Sequence, residues 1–454
     1  MAQARVDSVE LDPREDYSID RSVVEENPSN AELGASHGDL NERKLESVGK
    51  NRIHRKWLTI AVHIGVVVLA LLIGIIIGYF SNDSGDSGDN SGGTSDTGFA
   101  SLPARDTVLT NIAFGSCALQ TYPHPFWDTL LSDRIQAQLF LFGGDNVYGD
   151  CRGDLTCKAL QDAYEDLFTK PSFSYAKSKL PIMAVPDDHD YGLNDGDVNN
   201  PYKVIAKEMF LQYFQVSDDD PRRNRGGLYY SKSFGHSPNR VQVIMLDTRW
   251  FRGTFTKTDM PWTPGKEEYM ASWSTEANAT MLGAEQWRWL EQRFREPADI
   301  RLVLSTVQVL PIGHGFEKWM NFPQEVIKLI DIIERTKANG VVLLSGDRHI
   351  AAIYQISEVT RPDGSKRVAP YTLTEMTSSS LTHTQLFNDT IAPLRVGTQV
   401  NDNNIGYIKI NWAARYVNLS IVTAGESLDQ SRLYTNDAGL PLESIGLNLD
   451  DLRV

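Results

Sequence analysis

A layered α/β sandwich forming one domain is the fold class predicted for residues 102–454, and three observations carry it. From about Leu102, apolar runs of strand length alternate with stretches of helical periodicity, and strands predominate late in the chain. Three of the apolar runs stop at acidic and histidine clusters: 139–142 before Asp145 and Tyr148, 181–185 before Asp187-Asp188-His189-Asp190, and 340–344 before Gly346-Asp347-Arg348-His349. In an open α/β sheet the crevice outside the carboxyl ends of the strands is where ligands sit, so these junctions mark a site. Finally, an almost wholly apolar stretch stands well before the domain.

In chain order, residues 1–56 are polar, mixed in charge and poor in aromatics, a composition expected of a disordered tail. Residues 57–80 carry only Thr59 and His63 as polar interruptions and are long enough to cross a hydrocarbon core as one transmembrane signal-anchor helix. Lys50, Arg52, Arg55 and Lys56 precede this stretch, and Asp83, Asp86 and Asp89 follow it. The positive-inside rule then gives a single-pass type II membrane protein with a cytosolic N-terminus and an extracellular or lumenal domain. Residues 81–101 read as a flexible Ser/Gly/Asp linker. The triplets beginning at Asn278, Asn388 and Asn418 are possible glycan acceptors on that side.

Within the domain, strands are expected near 108–114, 138–142, 181–185, 228–234, 240–246, 301–307, 340–345, 351–356, 405–411 and 415–422. Helices are expected near 124–136, 157–169, 202–214, 283–295 and 324–338. Trp287, Leu290 and Phe294 recur at i, i+3 and i+7, a stripe for core packing.

The formal charge of −15 argues against wrapping nucleic acid, which needs a basic face. It leaves room for small phosphate esters, because bound cations can supply positive potential locally. Of the cysteines Cys117, Cys151 and Cys157, the last two flank a short loop and can close a small disulfide ring in an oxidising compartment. Cys117 then stands alone just after a strand, where a metal thiolate competes with a buried small side chain.

The ligand-type residues at the strand ends are Cys117, Asp145, Tyr148, Asp188, His189, Asp347 and His349. Thiolate, phenolate and carboxylates in one crevice suit a trivalent or two divalent cations, with Asp145 as the expected bridge. Two such cations form the clamp used for in-line displacement at phosphorus. Asp188 is expected to ligate a metal while His189 faces the substrate as proton donor or charge stabiliser. A buried, hydrogen-bonded histidine is the alternative for His189.

Phe-Gly-Ser-Cys at 114–117, Gly-Asp-Asn-Val-Tyr-Gly at 144–149, Asp-Asp-His-Asp at 187–190, Leu-Asp-Thr-Arg at 246–249 and Gly-Asp-Arg-His at 346–349 together resemble the PhoD-like alkaline phosphatases. Leu-Gly-Ala-Glu-Gln-Trp-Arg-Trp-Leu at 282–290 belongs to the same resemblance, which covers roughly 108–425. The Gly-Asp-x-x-Tyr pattern at 144–148 is more distantly similar to purple acid phosphatases. The resemblance implies a four-layer metallophosphoesterase sandwich, two mixed sheets flanked by helices, acting on phosphate mono- and diesters. It also implies a cluster of ferric iron and calcium, with zinc or another divalent cation as the alternative. Cys117 and Tyr148 would bind iron, Asp145 would bridge, and Asp188, Asp347 and His349 would complete the cluster. Gln308 corresponds to a family glutamine near the site, and Arg249 and Arg348 are candidates either for phosphate contacts or for structural ion pairs. The chain departs from the better-known bacterial members in ending its third motif with Asp190 rather than glutamate, and in having an anchor and spacer where they carry an N-terminal β domain.

The first expectation is thus a membrane-anchored metal-dependent phosphatase. Its rivals are a specialised nucleotide or phospholipid phosphodiesterase, and a non-catalytic ectodomain that binds a phosphorylated ligand.

Overall fold

The structure, a computed structural model, describes residues 98–261, 263–386, 388–425, 439 and 441–454. The expected tail, the apolar stretch 57–80 and nearly all of the linker lie outside the described residues. Among the described residues no helix is long and apolar enough to cross a membrane.

Two mixed sheets organise these residues. One runs in the spatial order β15 (Pro441–Asn448), β14 (Tyr416–Thr423), β13 (Asn404–Asn411), β1 (Asn111–Gly115), β2 (Leu139–Gly143) and β3 (Ile182–Val185). The other runs β12 (Arg395–Val400), β10 (Ala351–Thr360), β11 (Lys366–Ser378), β9 (Val341–Ser345), β8 (Ile300–Leu304), β5 (Val241–Met245) and β4 (Tyr230–Phe234). A small hairpin pairs β6 (Thr256–Lys257) with β7 (Tyr269–Met270). The helices are α1 (Phe126–Leu131), α2 (Lys158–Thr169), α3 (Pro171–Lys179), α4 (Lys203–Tyr213), α5 (Gly283–Phe294) and α6 (Pro323–Thr336).

Strand periodicity decides which layer each side chain joins. Along β2, Leu139 and Leu141 enter the core shared with the second sheet, whereas Phe140 and Phe142 point the other way, to Trp127 of α1, Tyr164 of α2 and Phe173 of α3. Ile112 and Phe114 of β1 and Met183 and Val185 of β3 repeat this inward choice, with Ala113 and Ala184 outward. On the far side, Trp287, Leu290 and Phe294 of α5 and Ile330 and Ile333 of α6 pack on the second sheet, the stripe at 287–294 serving as core. Helices thus flank two stacked sheets on both outer faces.

The parallel strands fix where the site lies. β1, β2 and β3 are mutually parallel, and so are β5, β8, β9 and β11. The loops leaving all of them at their carboxyl ends therefore gather along one edge of the stacked sheets, as the sequence junctions predict.

Several elements differ from expectation. Helix α1 is shorter than 124–136 and stops where Ser132 turns extended and its hydroxyl donates to the Thr129 carbonyl. Helix α3 is an addition: Pro171 opens it, and a weak stripe of Phe173, Ala176 and Lys177 is all it buries. β11, β12 and β15 are also additions. Pro370 falls within β11, where the pairing register with β10 shifts between Leu373 and Val368, so its missing N–H interrupts no regular ladder. β12 and β15 are edge strands with largely exposed faces and weak apolar alternation.

Candidate metal centre

After β1 the chain reaches Cys117, whose sulfur is buried 3.4 Å from Asp145 Oδ2, 3.1 Å from Ser379 Oγ and 3.3 Å from Ser116 Oγ. After β2 come Asp145 and Tyr148, the Tyr148 hydroxyl lying 3.3 Å from Asp145 Oδ2 and 2.9 Å from His349 Nε2. After β3 come Asp187, Asp188 and His189, and after β9 come Asp347 and His349. Cys117, Asp145 and His349 present ligand atoms within 4.8 Å of one another. So do Asp145, Asp188 and His189, and so do Asp187, Asp188 and Asp347. Asp145 belongs to two of these groups, the place expected of a bridge. Every metal-ligand candidate named from the sequence falls in or beside these groups, Tyr148 through its hydroxyl contacts.

Backbone strain marks the same residues. Cys117 (φ 62°), Asp145 (φ 46°), Asp347 (φ 72°) and His349 (φ 51°) all adopt the left-handed region, at roughly 1–3 kcal/mol each for residues with a Cβ. The turns that bring these side chains together need it. Gly144 (φ 98°) lets the β2 and β3 loops meet, since a Cβ there would lie 2.4 Å from that of Asp187. Gly346 does the same for the β9 loop, where a Cβ would lie 2.3 Å from Ser116 Oγ.

The charge balance calls for cations. Burial and then the neighbouring Asp188 charge hold the Asp145 carboxyl well above the usual range, and burial with the charges of Asp187 and Glu317 does the same for Asp347. Burial pushes the Cys117 thiol up to about 11. Asp145 Oδ1 and Asp187 Oδ2 are buried without a hydrogen-bond partner. A buried carboxylate oxygen left unpaired is costly, and cations between these groups would reverse each shift. Burial and the approach of His383 keep the His349 imidazole far below its ordinary value, hence neutral as a ligand must be. The donor set fits a thiolate- and phenolate-binding metal beside Cys117 and Tyr148 and an oxygen-loving one among Asp187, Asp188 and Asp347.

His189 stands over Tyr148, ring centroids 4.3 Å apart, with Nδ1 3.0 Å from Asp150 Oδ1. Against the pull of burial, the charge of Asp188 and the bond to Asp150 raise its pKa to about 9. Asp188 is fixed by two backbone donors, His189 N at 2.9 Å and Asp195 N at 2.8 Å. Though burial opposes it, Arg249 and His189 hold its carboxyl below the usual range. Asp190 is a brace: its oxygens accept from the amides of Asn146, Val147 and Asp187 and lock the β2 and β3 loops together.

Of the two arginines whose role the sequence left open, Arg249 is an ion-pair hub. It is fully buried, its Nε 2.5 Å from Asp187, its Nη1 on Glu317 and its Nη2 3.4 Å from Asp347. Asp247 braces its loop by accepting from the amides of Leu228, Arg249 and Trp250. The Arg348 side chain, the other candidate for a catalytic phosphate contact, is not brought among the ligand-type residues. It pairs with Asp389 at 2.9 Å and lies over the Phe316 ring, with Nη1 buried and unpartnered. Gln308 is buried between Thr377 and His314. Cys151 and Cys157 form a disulfide, leaving Cys117 as the free cysteine.

Sequence reasoning did not single out Asp187 among the ligand-type residues, nor the carboxylates Glu317 and Asp195 beside Asp188, nor the loop after β11. That loop closes over the centre. Ser379 Oγ accepts from His349 N, Thr382 Oγ1 donates to the Cys117 carbonyl, Thr384 Oγ1 and Gln385 N donate to the His349 carbonyl, and His383 lies against the His349 ring. The serine run 378–380 was the available signal in the sequence; in the structure it is buried, with the Ser378 hydroxyl on Asn404 and that of Ser379 on His349 N and the Cys117 sulfur.

A family model described as PhoD-like phosphatase matches residues 112–421. Alkaline phosphatase D of Bacillus subtilis (strain 168) is 21% identical over 300 residues, covering 55% of this chain and 47% of the relative. The chain thus spans about half the length of that curated relative. A solved structure of PhoD superposes with a TM-score of 0.54 at 15% identity, over 78% of this chain and 73% of the other, a likeness of fold. A purple acid phosphatase from yellow lupin (Lupinus luteus) seeds gives a TM-score of 0.43 at 11% identity, over 75% of this chain and 53% of its own.

Proposed function

Because the chain belongs to the PhoD-like phosphatase family, we propose that it hydrolyses phosphate esters at the crevice where the parallel strands end. The observation that supports this best is the crowd of Asp145, Asp187, Asp188 and Asp347 around orphaned carboxylate oxygens, an arrangement suited to a multi-metal phosphoesterase centre. Cys117, Asp145, Tyr148 and His349 would hold ferric iron, and Asp145, Asp187, Asp188 and Asp347 calcium or another divalent cation. When bound, such cations supply positive potential for the phosphoryl oxygens and lower the pKa of water.

The chain's own residues do the rest. Asp150 accepts from His189 Nδ1–H, and with the pKa of the ring raised to about 9 the imidazolium keeps Nε2–H as a donor for the leaving oxygen. Ser379, whose oxygen accepts from His349 N, can give its hydroxyl hydrogen to the Cys117 sulfur and so favour its thiolate. Arg249 is committed to carboxylates and fixes them. Arg348 is committed to Asp389 over the Phe316 ring and is given no part in the chemistry. The apolar stretch 57–80 and its flanking charges favour anchoring in a membrane with this domain extracellular or lumenal, and the disulfide suits an oxidising compartment.

The test is turnover of nitrophenyl phosphate and of its bis ester by the full chain in detergent, together with its metal content. Metal-dependent hydrolysis of either supports the reading, and the ratio of the two rates ranks monoester against diester. Fully metallated protein that hydrolyses neither would instead favour a domain that binds phosphorylated ligands.

A further inference from the structure

The hydrogen-bond pattern around Thr382 fixes which nitrogen of His383 carries its proton. Thr382 Oγ1 lies 3.2 Å from the Cys117 carbonyl, which can only accept, so the single hydroxyl hydrogen is spent there. The same oxygen accepts from the Leu119 amide at 2.9 Å. Its remaining neighbour is His383 Nδ1 at 3.0 Å. With no hydrogen left to give, Thr382 must accept from that nitrogen, so neutral His383 carries its proton on Nδ1 and leaves Nε2 a bare lone pair.

That lone pair belongs to a ring in the crevice. The His383 centroid lies 4.2 Å from that of His349 at 71° and 5.2 Å from that of Tyr148 at 69°. The ring is half-buried, and its Nδ1 is its hydrogen-bonded nitrogen among the described residues. His383 joins none of the close ligand groups, which include its neighbour His349. Its loop is held to Cys117 and His349 through Ser379, Thr382, Thr384 and Gln385.

We propose that His383 is an acceptor at the reacting centre: its Nε2 receives a hydrogen bond from an O–H group in the crevice, either the attacking water or a hydroxyl of the substrate's alcohol. His189 donates and His383 accepts, so the two histidines flanking Tyr148 have opposite polarity. The assignment rests on the phosphate-ester reading above.

Three variants of the full chain test it. His383→Asn keeps a donor near Nδ1 but removes the acceptor, His383→Gln returns an amide oxygen near the Nε2 position, and His383→Leu removes both. Each is assayed on nitrophenyl phosphate and on glycerol phosphate, with metal content and orthovanadate affinity measured alongside. Orienting the water lowers kcat of His383→Asn on both esters about 10–100-fold with KM little changed. Orienting a substrate hydroxyl raises KM for glycerol phosphate about tenfold and leaves nitrophenyl phosphate untouched. In both cases His383→Gln recovers part of the loss, and metal content equals that of the wild type. An active wild type with His383→Asn within about twofold on both esters overturns the acceptor role, as does loss of metal from His383→Asn, which would make His383 a ligand. A metallated wild type that turns over neither ester overturns the functional reading, and this assignment with it.

Discussion

The Tyr148 hydroxyl lies 2.9 Å from Nε2 of His349, across 201 residues of sequence. The contact closes the gap between the two sheets, one residue following β2 and the other β9. It is too close to the Cys117 and Asp145 groups to be incidental.

If Tyr148 and Cys117 together hold ferric iron, the purified protein carries iron and absorbs visible light by charge transfer from phenolate or thiolate. Tyr148→Phe should shift or abolish the phenolate band and lower kcat/KM on the order of 10–100-fold, the range for disturbing a metal's surroundings. Elemental analysis and a visible spectrum of both proteins check this. A colourless protein containing zinc alone would refute the iron assignment and leave a two-metal centre standing.

The ligand junctions were legible because each combines two strong signals, an apolar strand and a chemistry-bearing loop that parallel topology sends to one edge. Cys117, Asp145, Tyr148, Asp188, Asp347 and His349 all sit there. Arg249 was ambiguous because one guanidinium can meet phosphate or carboxylate, and only the fold shows Asp187, Glu317 and Asp347 around it. β11 was hidden by composition: a strand holding Pro370 and burying Glu375 reads as a loop until its neighbours satisfy the carboxylate. The Ser379–Gln385 loop contributes mainly backbone and hydroxyl contacts, which leave little trace in a hydrophobic pattern.

The Asp150–His189 pair predicts a pH signature. With the pKa of His189 raised, the protonated donor persists to higher pH, and activity falls as pH climbs through the folded value. Asp150→Asn removes part of the support, so the alkaline limb of kcat against pH should move down, and maximal kcat should fall several-fold. An unchanged limb in Asp150→Asn would show that Asp150 does not tune the donor.

The three glycan triplets differ in accessibility. Asn278 and Asn388 are exposed, whereas Asn418 is half-buried on β14 with its amide nitrogen 2.6 Å from Ser420 Oγ of its own triplet. If the domain faces the lumen or exterior, glycosidase digestion of the protein from a eukaryotic host should remove two chains. Asn278→Gln and Asn388→Gln should each remove one, and Asn418→Gln none. Mobility unchanged by glycosidase would count against the proposed orientation.

Glu375 predicts how stability depends on pH away from the centre. Burial raises its carboxyl to about 7, although bonds from Ser345 Oγ and the amides of Leu310 and Val309 favour the charged form. Its folded pKa lies above the unfolded value near 4.5, so the folded state binds the proton more tightly. This contribution is fully present below pH 4.5, declines as pH rises through about 7, and is absent above it. The span amounts to on the order of 3 kcal/mol as an upper figure. Glu375→Gln cannot titrate, so its stability should fall less between pH 5 and pH 8 than that of the wild type, even though the variant loses one acceptor and is weaker at pH 5. Urea unfolding of both proteins across that range measures the difference in slope directly. Parallel slopes would mean that Glu375 is already ionised in the fold at pH 5, held so by its three donors.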